Sequence, residues 1–409
     1  MQRLCIVWAV TIPMTTMGMF MAEAQANSGG RRVAPLARRA VFWGLGVAAL
    51  LMAGRGSALV RETPLEGPLT LASFQRGVSD CFDRRSRPSL AVVDAHLHLR
   101  PFGGPPIPLA DLLQMVRRSG VLFVAGYGIG QRLPVNNPCT YYLDCPGVPV
   151  TPSIKNDIVN AQGLLDANNR DLKVVLSMTF PDLAQPAQVV DQMRLLDKEY
   201  PGMFRWMGEV NLVKQALFNN GHQAASKKAI AAWAPFMAEL RQRQIPMAIH
   251  SDLGNDAEPL KYLPLMQEVL RQYPDNKIVW MHLGLSKELK QVNAPQHVAL
   301  LEKLMRDHPN LSFDISWRVL DDQVFSDPVK RQAYVALINR WPGRFLPGTD
   351  FVAAATKTEA VYREELAVTS SILADLDDEA FRRVALGQNF FELAGLDAVA
   401  PQVCRERRT

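Results

Sequence analysis

The chain has 409 residues, 48% of them apolar and 21% charged, with 28 Pro and 26 Gly. That is the make-up of a globular protein with a large core, and it excludes wholesale disorder and collagen-like repeats. The formal charge of +5 belongs to the first 58 residues, where six basic side chains face one acid; residues 59–409 carry 39 of each sign. Net charge is therefore no argument for a nucleic-acid partner.

Residues 1–58 read as an export leader. Ala40–Gly54 is an apolar run with Arg38-Arg39 before it and Gly56-Ser57-Ala58 behind it, the layout of a secretory signal peptide. The Arg pair loosely resembles a twin-arginine signal. The run is shorter than the roughly 18 apolar residues of a membrane span. The expectation is a periplasmic or secreted protein with no stable membrane insertion after cleavage; a retained anchor is the alternative. A second apolar stretch, Leu4–Met21, is broken by Pro13 and is accounted for if translation starts at Met19 or Met21. Cys139 and Cys145 sit six apart in one loop, and Cys81 and Cys404 flank the body of the chain. Both pairs could form disulfides in an exported protein, and free thiols are equally compatible with the spacing.

Residues 59–88 are expected to extend onto a barrel over 89–396, with 397–409 as a tail. Short β-like runs are read at Leu90–Leu97, Val121–Gly126, Leu172–Met178, Phe204–Val210, Pro246–His250, Lys277–His282, Leu311–Ser316 and Phe345–Asp350. Helical patterns fall between them, at Ile154–Asn168, Ala187–Glu199, Ser226–Gln244, Leu260–Gln272, His297–Asp307, Pro328–Asn339 and Glu359–Leu373. Eight strands alternating with helices and no linker predict an α/β chain closed into a (β/α)8 TIM-like barrel. An open doubly wound sheet is the rival. The longest connections, Leu99–Pro108 and Gly126–Pro152, follow strands, which marks the C-terminal ends of the strands as the active face.

Polar residues gather at those ends. His96 and His98 share one face of the first strand, because side chains alternate. Glu209, His250, His282 and Asp350 each close a later apolar strand. Six nitrogen and oxygen donors at one barrel mouth suit a divalent metal, with zinc first.

The order Asp94-Ala95-His96-Leu97-His98, Glu209, His250, His282, Gly348-Thr349-Asp350, closing on Gly387-Gln388-Asn389, resembles the amidohydrolase superfamily and most closely its amidohydrolase-related (family 2) branch. The resemblance implies a metal-dependent hydrolase that cleaves an amide, ester or lactone bond of a small molecule. It makes His96, His98 and Asp350 metal ligands, Asp350 also handling the proton of the attacking water. With one metal, His250 completes the set and His282 polarises substrate or shuttles protons. With two, Glu209 bridges, and His250 and His282 hold the second ion. Non-oxidative decarboxylation of a small carboxylic acid is the alternative reaction, and a non-catalytic exported ligand-binding barrel the alternative class.

Arg318 and Lys214, each shortly after a strand, are candidate readers of a substrate carboxylate, and Tyr127 a candidate pocket residue. Tyr141, Tyr142, Phe102 and Trp317 are read as loop packing or pocket wall. His222, His297 and His308 are expected at the surface, and Asp94 and Asp314 as buried structural carboxylates. A homo-oligomer is compatible with the sequence.

Overall fold

A computed structural model describes residues 63–405, apart from 135, 136, 138, 140, 143, 144 and 168. The expected export leader and start codon lie outside the described residues. Eight strand positions follow one another: β1 Val93–His98, β2 Phe123–Tyr127, β3 Lys173–Met178, β4 Phe204–Val213, β5 Met247–Ser251, β6 Ile278–Trp280, β7 Leu311–Asp314, and β8 in two segments, Phe345–Leu346 and Phe351–Val352. All pair in parallel, in the order of the chain.

The split eighth strand closes the ring. Phe345 pairs with Phe313 of β7, and Phe351 pairs with Leu97 of β1. Between them the Ala95 N–H donates to the Pro347 carbonyl and the Asp350 N–H to the His96 carbonyl, at 2.9 and 2.8 Å. The fold is thus an α/β TIM-like barrel, and the open-sheet alternative falls. Gly348 is where β8 presses closest, since a Cβ there would stand 2.9 Å from the His96 Cβ.

The barrel is sealed below by aromatic packing. The helix Gln388–Ala394 lies under the strands, where Phe391 meets Phe123 at 4.5 Å and Phe390 meets Trp206 at 5.7 Å. Asn389 explains the Gly-Gln-Asn motif, because its amide donates to the carbonyls of Pro342 and Phe345 at 2.7 and 2.8 Å, fixing the start of β8. The outer helices form for ordinary reasons. In Leu109–Arg118, Leu112, Leu113, Met115 and Val116 face the barrel, with Asp111 in the first turn and Arg117 and Arg118 in the last. The apolar face contributes about 2 kcal/mol per fully buried aliphatic side chain, and the end charges complement the helix dipole. Val116→Asp would bury an unpaired charge and unseat this helix.

Both cysteine pairs form disulfides, Cys81–Cys404 and Cys139–Cys145. The first joins segments that lie side by side, the Phe82 N–H donating to the Gln402 carbonyl at 2.7 Å. The second sits in the loop after β2, which packs its own small core of Phe102, Ile129, Leu133, Tyr142, Val150 and Leu217 above the barrel mouth. Two expectations are corrected here. His222 and His297 are buried, each 6% exposed; His297 lies on a helix face turned inward, between the Tyr334 hydroxyl and the Leu283 carbonyl. Helical context alone does not say which face a histidine occupies. Among the described residues no helix is long and apolar enough to cross a membrane.

Candidate metal centre

Three histidines are aimed by what their far nitrogens touch. His98 Nδ1 donates to the Gly128 carbonyl at 2.8 Å; a carbonyl only accepts, so Nε2 is left for the site. His96 Nδ1 donates to Asp314 Oδ2 at 2.9 Å. The Ser316 hydroxyl also donates to Asp314 Oδ2, at 2.6 Å, and lies 3.0 Å from His282 Nδ1. Its oxygen accepts from that ring, so His282 too turns Nε2 inward. Partner chemistry thereby assigns one tautomer to all three rings.

The inward atoms converge. His96 Nε2 and His98 Nε2 are 3.1 Å apart, and Asp350 Oδ1 lies 3.4 and 3.2 Å from them. Glu209 Oε2 is 3.4 Å from His98 Nε2. The buried His282 Nε2 has no hydrogen-bond partner among the described residues and stands 3.6 Å from Glu209 Oε1. Two groups of donor atoms are close enough to hold an ion: His96, His98 and Asp350, and His96, Glu209 and His282. Imidazole lone pairs and carboxylate oxygens crowded without protons between them fit a divalent cation.

The electrostatics agree. Burial works against a charge on His98, yet Asp350 and Glu209 outweigh it and raise its pKa to about 9. The negative field that draws a proton to His98 Nε2 also favours a cation. Burial would raise both carboxyls, but His96, His98 and His282 hold Asp350, and Lys214 and His250 hold Glu209, below the usual carboxylate range.

His250 is arranged differently. Its Nε2 meets Asp252 Oδ1 at 2.9 Å and its Nδ1 meets Glu209 Oε1, so both nitrogens face carboxylates. Lys214 is buried beside it, Nζ 3.0 Å from the same Glu209 oxygen. Arg318 reaches the cavity rim but pairs outward with Glu364 at 2.9 Å. Tyr127 is fully buried behind the histidines, its ring 4.8 Å from His96. Asp94 and Asp314 are buried and hydrogen-bonded, as expected. Asp94 accepts from Thr349 N, Thr349 Oγ1 and Tyr362 Oη at 2.9, 2.7 and 3.1 Å, which ties β1 to the Gly-Thr-Asp turn. The sequence reading missed Ser316 and Asp252; each lies two residues beyond a polar strand-end residue, on the same face by alternation.

Above the centre is a cavity of about 400 Å³ that reaches His250 and Asp350, with Phe102, Tyr141, Tyr142 and Trp317 in its wall. Asp350, His282, Leu283 and Trp317 have φ of 56°, 54°, 56° and 76°. Backbone held in this left-handed region by non-glycine residues is costly and clusters at functional sites.

The amidohydrolase family profile matches residues 93–387. The chain belongs to the amidohydrolase family. It is accordingly an amidohydrolase-type enzyme, and the clustered His, Glu and Asp side chains suit the divalent metal on which such enzymes depend. No curated protein matches this amidohydrolase. Solved structures similar to it include an amidohydrolase from Burkholderia multivorans with bound zinc, at 15% identity over 75% of this chain and 99% of that one, TM-score 0.49. A dihydroorotase from Campylobacter jejuni is 14% identical over 75% and 84%, TM-score 0.45. A β-aspartyl dipeptidase from Fervidobacterium islandicum is 12% identical over 77% and 75%, TM-score 0.45.

Proposed function

We propose that this amidohydrolase hydrolyses an amide, ester or lactone bond of a small molecule, using one divalent ion, zinc by its ligand chemistry, held by His96, His98 and Asp350. The observation that carries the reading is the 3.1 Å approach of two Nε2 atoms whose Nδ1 positions are already committed. A divalent ion bound there acidifies a water and polarises the bond to be cleaved.

The chain's own groups supply the rest. Asp350 Oδ1 faces the histidines, and its second oxygen is the group that takes the water's proton and returns it to the leaving group. His282 Nε2, buried and bare, is a second proton acceptor within reach of Glu209. Glu209 keeps Oε1 on Lys214 and His250 and turns Oε2 towards His98. His250, between two carboxylates, keeps its proton and holds Glu209 in place. One ion rather than two is favoured because His250, which a second ion would need, turns both nitrogens to carboxylates, and the two donor groups share the single free nitrogen of His96.

The test is metal stoichiometry together with turnover. The protein supplied with Zn²⁺ is expected to bind one equivalent and to release acid from a member of a panel of amides, esters and lactones. Asp350→Asn should lower the rate at least about a hundredfold while the melting transition persists. Absence of stoichiometric metal binding, or an unchanged rate in Asp350→Asn, would refute the reading. CO₂ release in place of acid would move the reaction to decarboxylation.

A further inference from the structure

Four cationic side chains line the cavity above the metal centre: Lys214, Lys287, Arg318 and Lys357. Two are already spent. Lys214 is paired with Glu209 at 3.0 Å, and Arg318 with Glu364 at 2.9 Å and Glu365 at 4.0 Å. The other two have no carboxylate within ion-pair distance among the described residues. Lys287 Nζ stands 5.8 Å from the Trp317 ring and 6.0 Å from the Tyr141 ring. Lys357 is half-buried, with its Nζ 4.5 Å from the Phe351 ring. Of the acids in the wall, Asp350 belongs to the metal centre and Glu365 faces Arg318, which leaves Asp322.

Burial lowers the pKa of Lys357 even though Glu365 and Asp350 pull the other way. Holding an ammonium there without a partner therefore costs stability, and a bound anion would offset that cost. The cavity wall also carries the rings of Tyr141, Tyr142 and Trp317, the first and last beside Lys287, and such flat faces hold a planar body.

We propose that the substrate carries a carboxylate remote from the bond that is cleaved, read by Lys287 and Lys357, on a planar body held by Tyr141 and Trp317. This deepens the hydrolase reading and rests on it. The lysines act as two point charges on flexible stems, so they select for charge more than for exact geometry. The cavity of about 400 Å³ suits a small organic acid.

Benzoate and nitrobenzene have the same shape and differ in charge, and neither holds an amide, ester or lactone bond, so they isolate the claim. Titration calorimetry of each into the zinc-loaded protein at low salt should show benzoate binding about tenfold tighter. In the double variant K287A/K357A that preference should fall to about twofold or less. K290A, which removes an exposed lysine outside the cavity, should keep it. Zinc content and melting temperature report whether each variant is folded. Equal binding of the two probes by the zinc-loaded protein would overturn the proposal. A preference that survives in K287A/K357A would also overturn it, because the metal or another cation of the cavity would then be reading the carboxylate. Failure to bind zinc is a different result, since it removes the metal centre itself.

Discussion

Asp314→Asn is the sharpest probe of how the metal centre is aimed. Asp314 receives the His96 Nδ1–H at 2.9 Å, the Ser316 hydroxyl at 2.6 Å and the His282 backbone N–H. Asparagine keeps the volume but has only one accepting oxygen. Its amino group must then face either the His282 N–H or the His96 and Ser316 donors. One buried donor is left opposed, at a cost of about 1–3 kcal/mol, and the charge that fixes the His96 tautomer is gone. Carboxylates that orient metal-ligating histidines are usually worth about 10–100-fold in metal affinity, or roughly 1.4–2.7 kcal/mol. The first cost lowers the stability of the metal-free fold, and the second is the one zinc affinity reads, so zinc should bind about thirtyfold more weakly. Competition against a chromophoric chelator measures this, with the melting temperature of the metal-free variant as the control for folding. A zinc Kd within about twofold of the parent would refute the argument that Asp314 orients the ligands.

Burial lowers both His297 and His222 to about 4. Their unfolded value is near 6.5, so between pH 6.5 and 4 only the unfolded chain takes up these protons and stability falls as the pH falls. Each histidine contributes up to about 3 kcal/mol of that loss; urea unfolding across the window checks it, and a flat profile would contradict the burial argument. The Cys81–Cys404 disulfide ties positions 323 apart in sequence, at Cα–Cα 4.9 Å. Replacing both cysteines by serine should cost about 2–5 kcal/mol, seen as a lowered melting temperature with the zinc stoichiometry kept; an unchanged melting temperature would deny the staple a role.

How much was legible in the sequence follows from which interactions are local. The alternation of apolar strands with amphipathic helices fixes eight βα units, because periodicity is set residue by residue along the chain. A polar residue ending an apolar strand must sit at the barrel mouth, which placed His96, His98, Glu209, His250, His282 and Asp350 together. Lys214 and Arg318 were read as free to meet substrate because pairing is a through-space property. Glu209 precedes Lys214 by only five residues, but Glu364 lies 46 beyond Arg318. The inward face of His297 was missed because helical context does not state orientation.

By itself, then, the sequence determined the barrel, the end of it at which the polar residues gather and the donor chemistry they offer. Tertiary structure alone decided which nitrogen each histidine presents, since Gly128, Asp314 and Ser316 reach those rings from other strands and loops. It also decided the left-handed turns at His282, Trp317 and Asp350, and which lysines of the cavity keep a free charge. All of these depend on distances between segments far apart in the chain, and closing the barrel is what brings those segments within hydrogen-bond and Coulomb range.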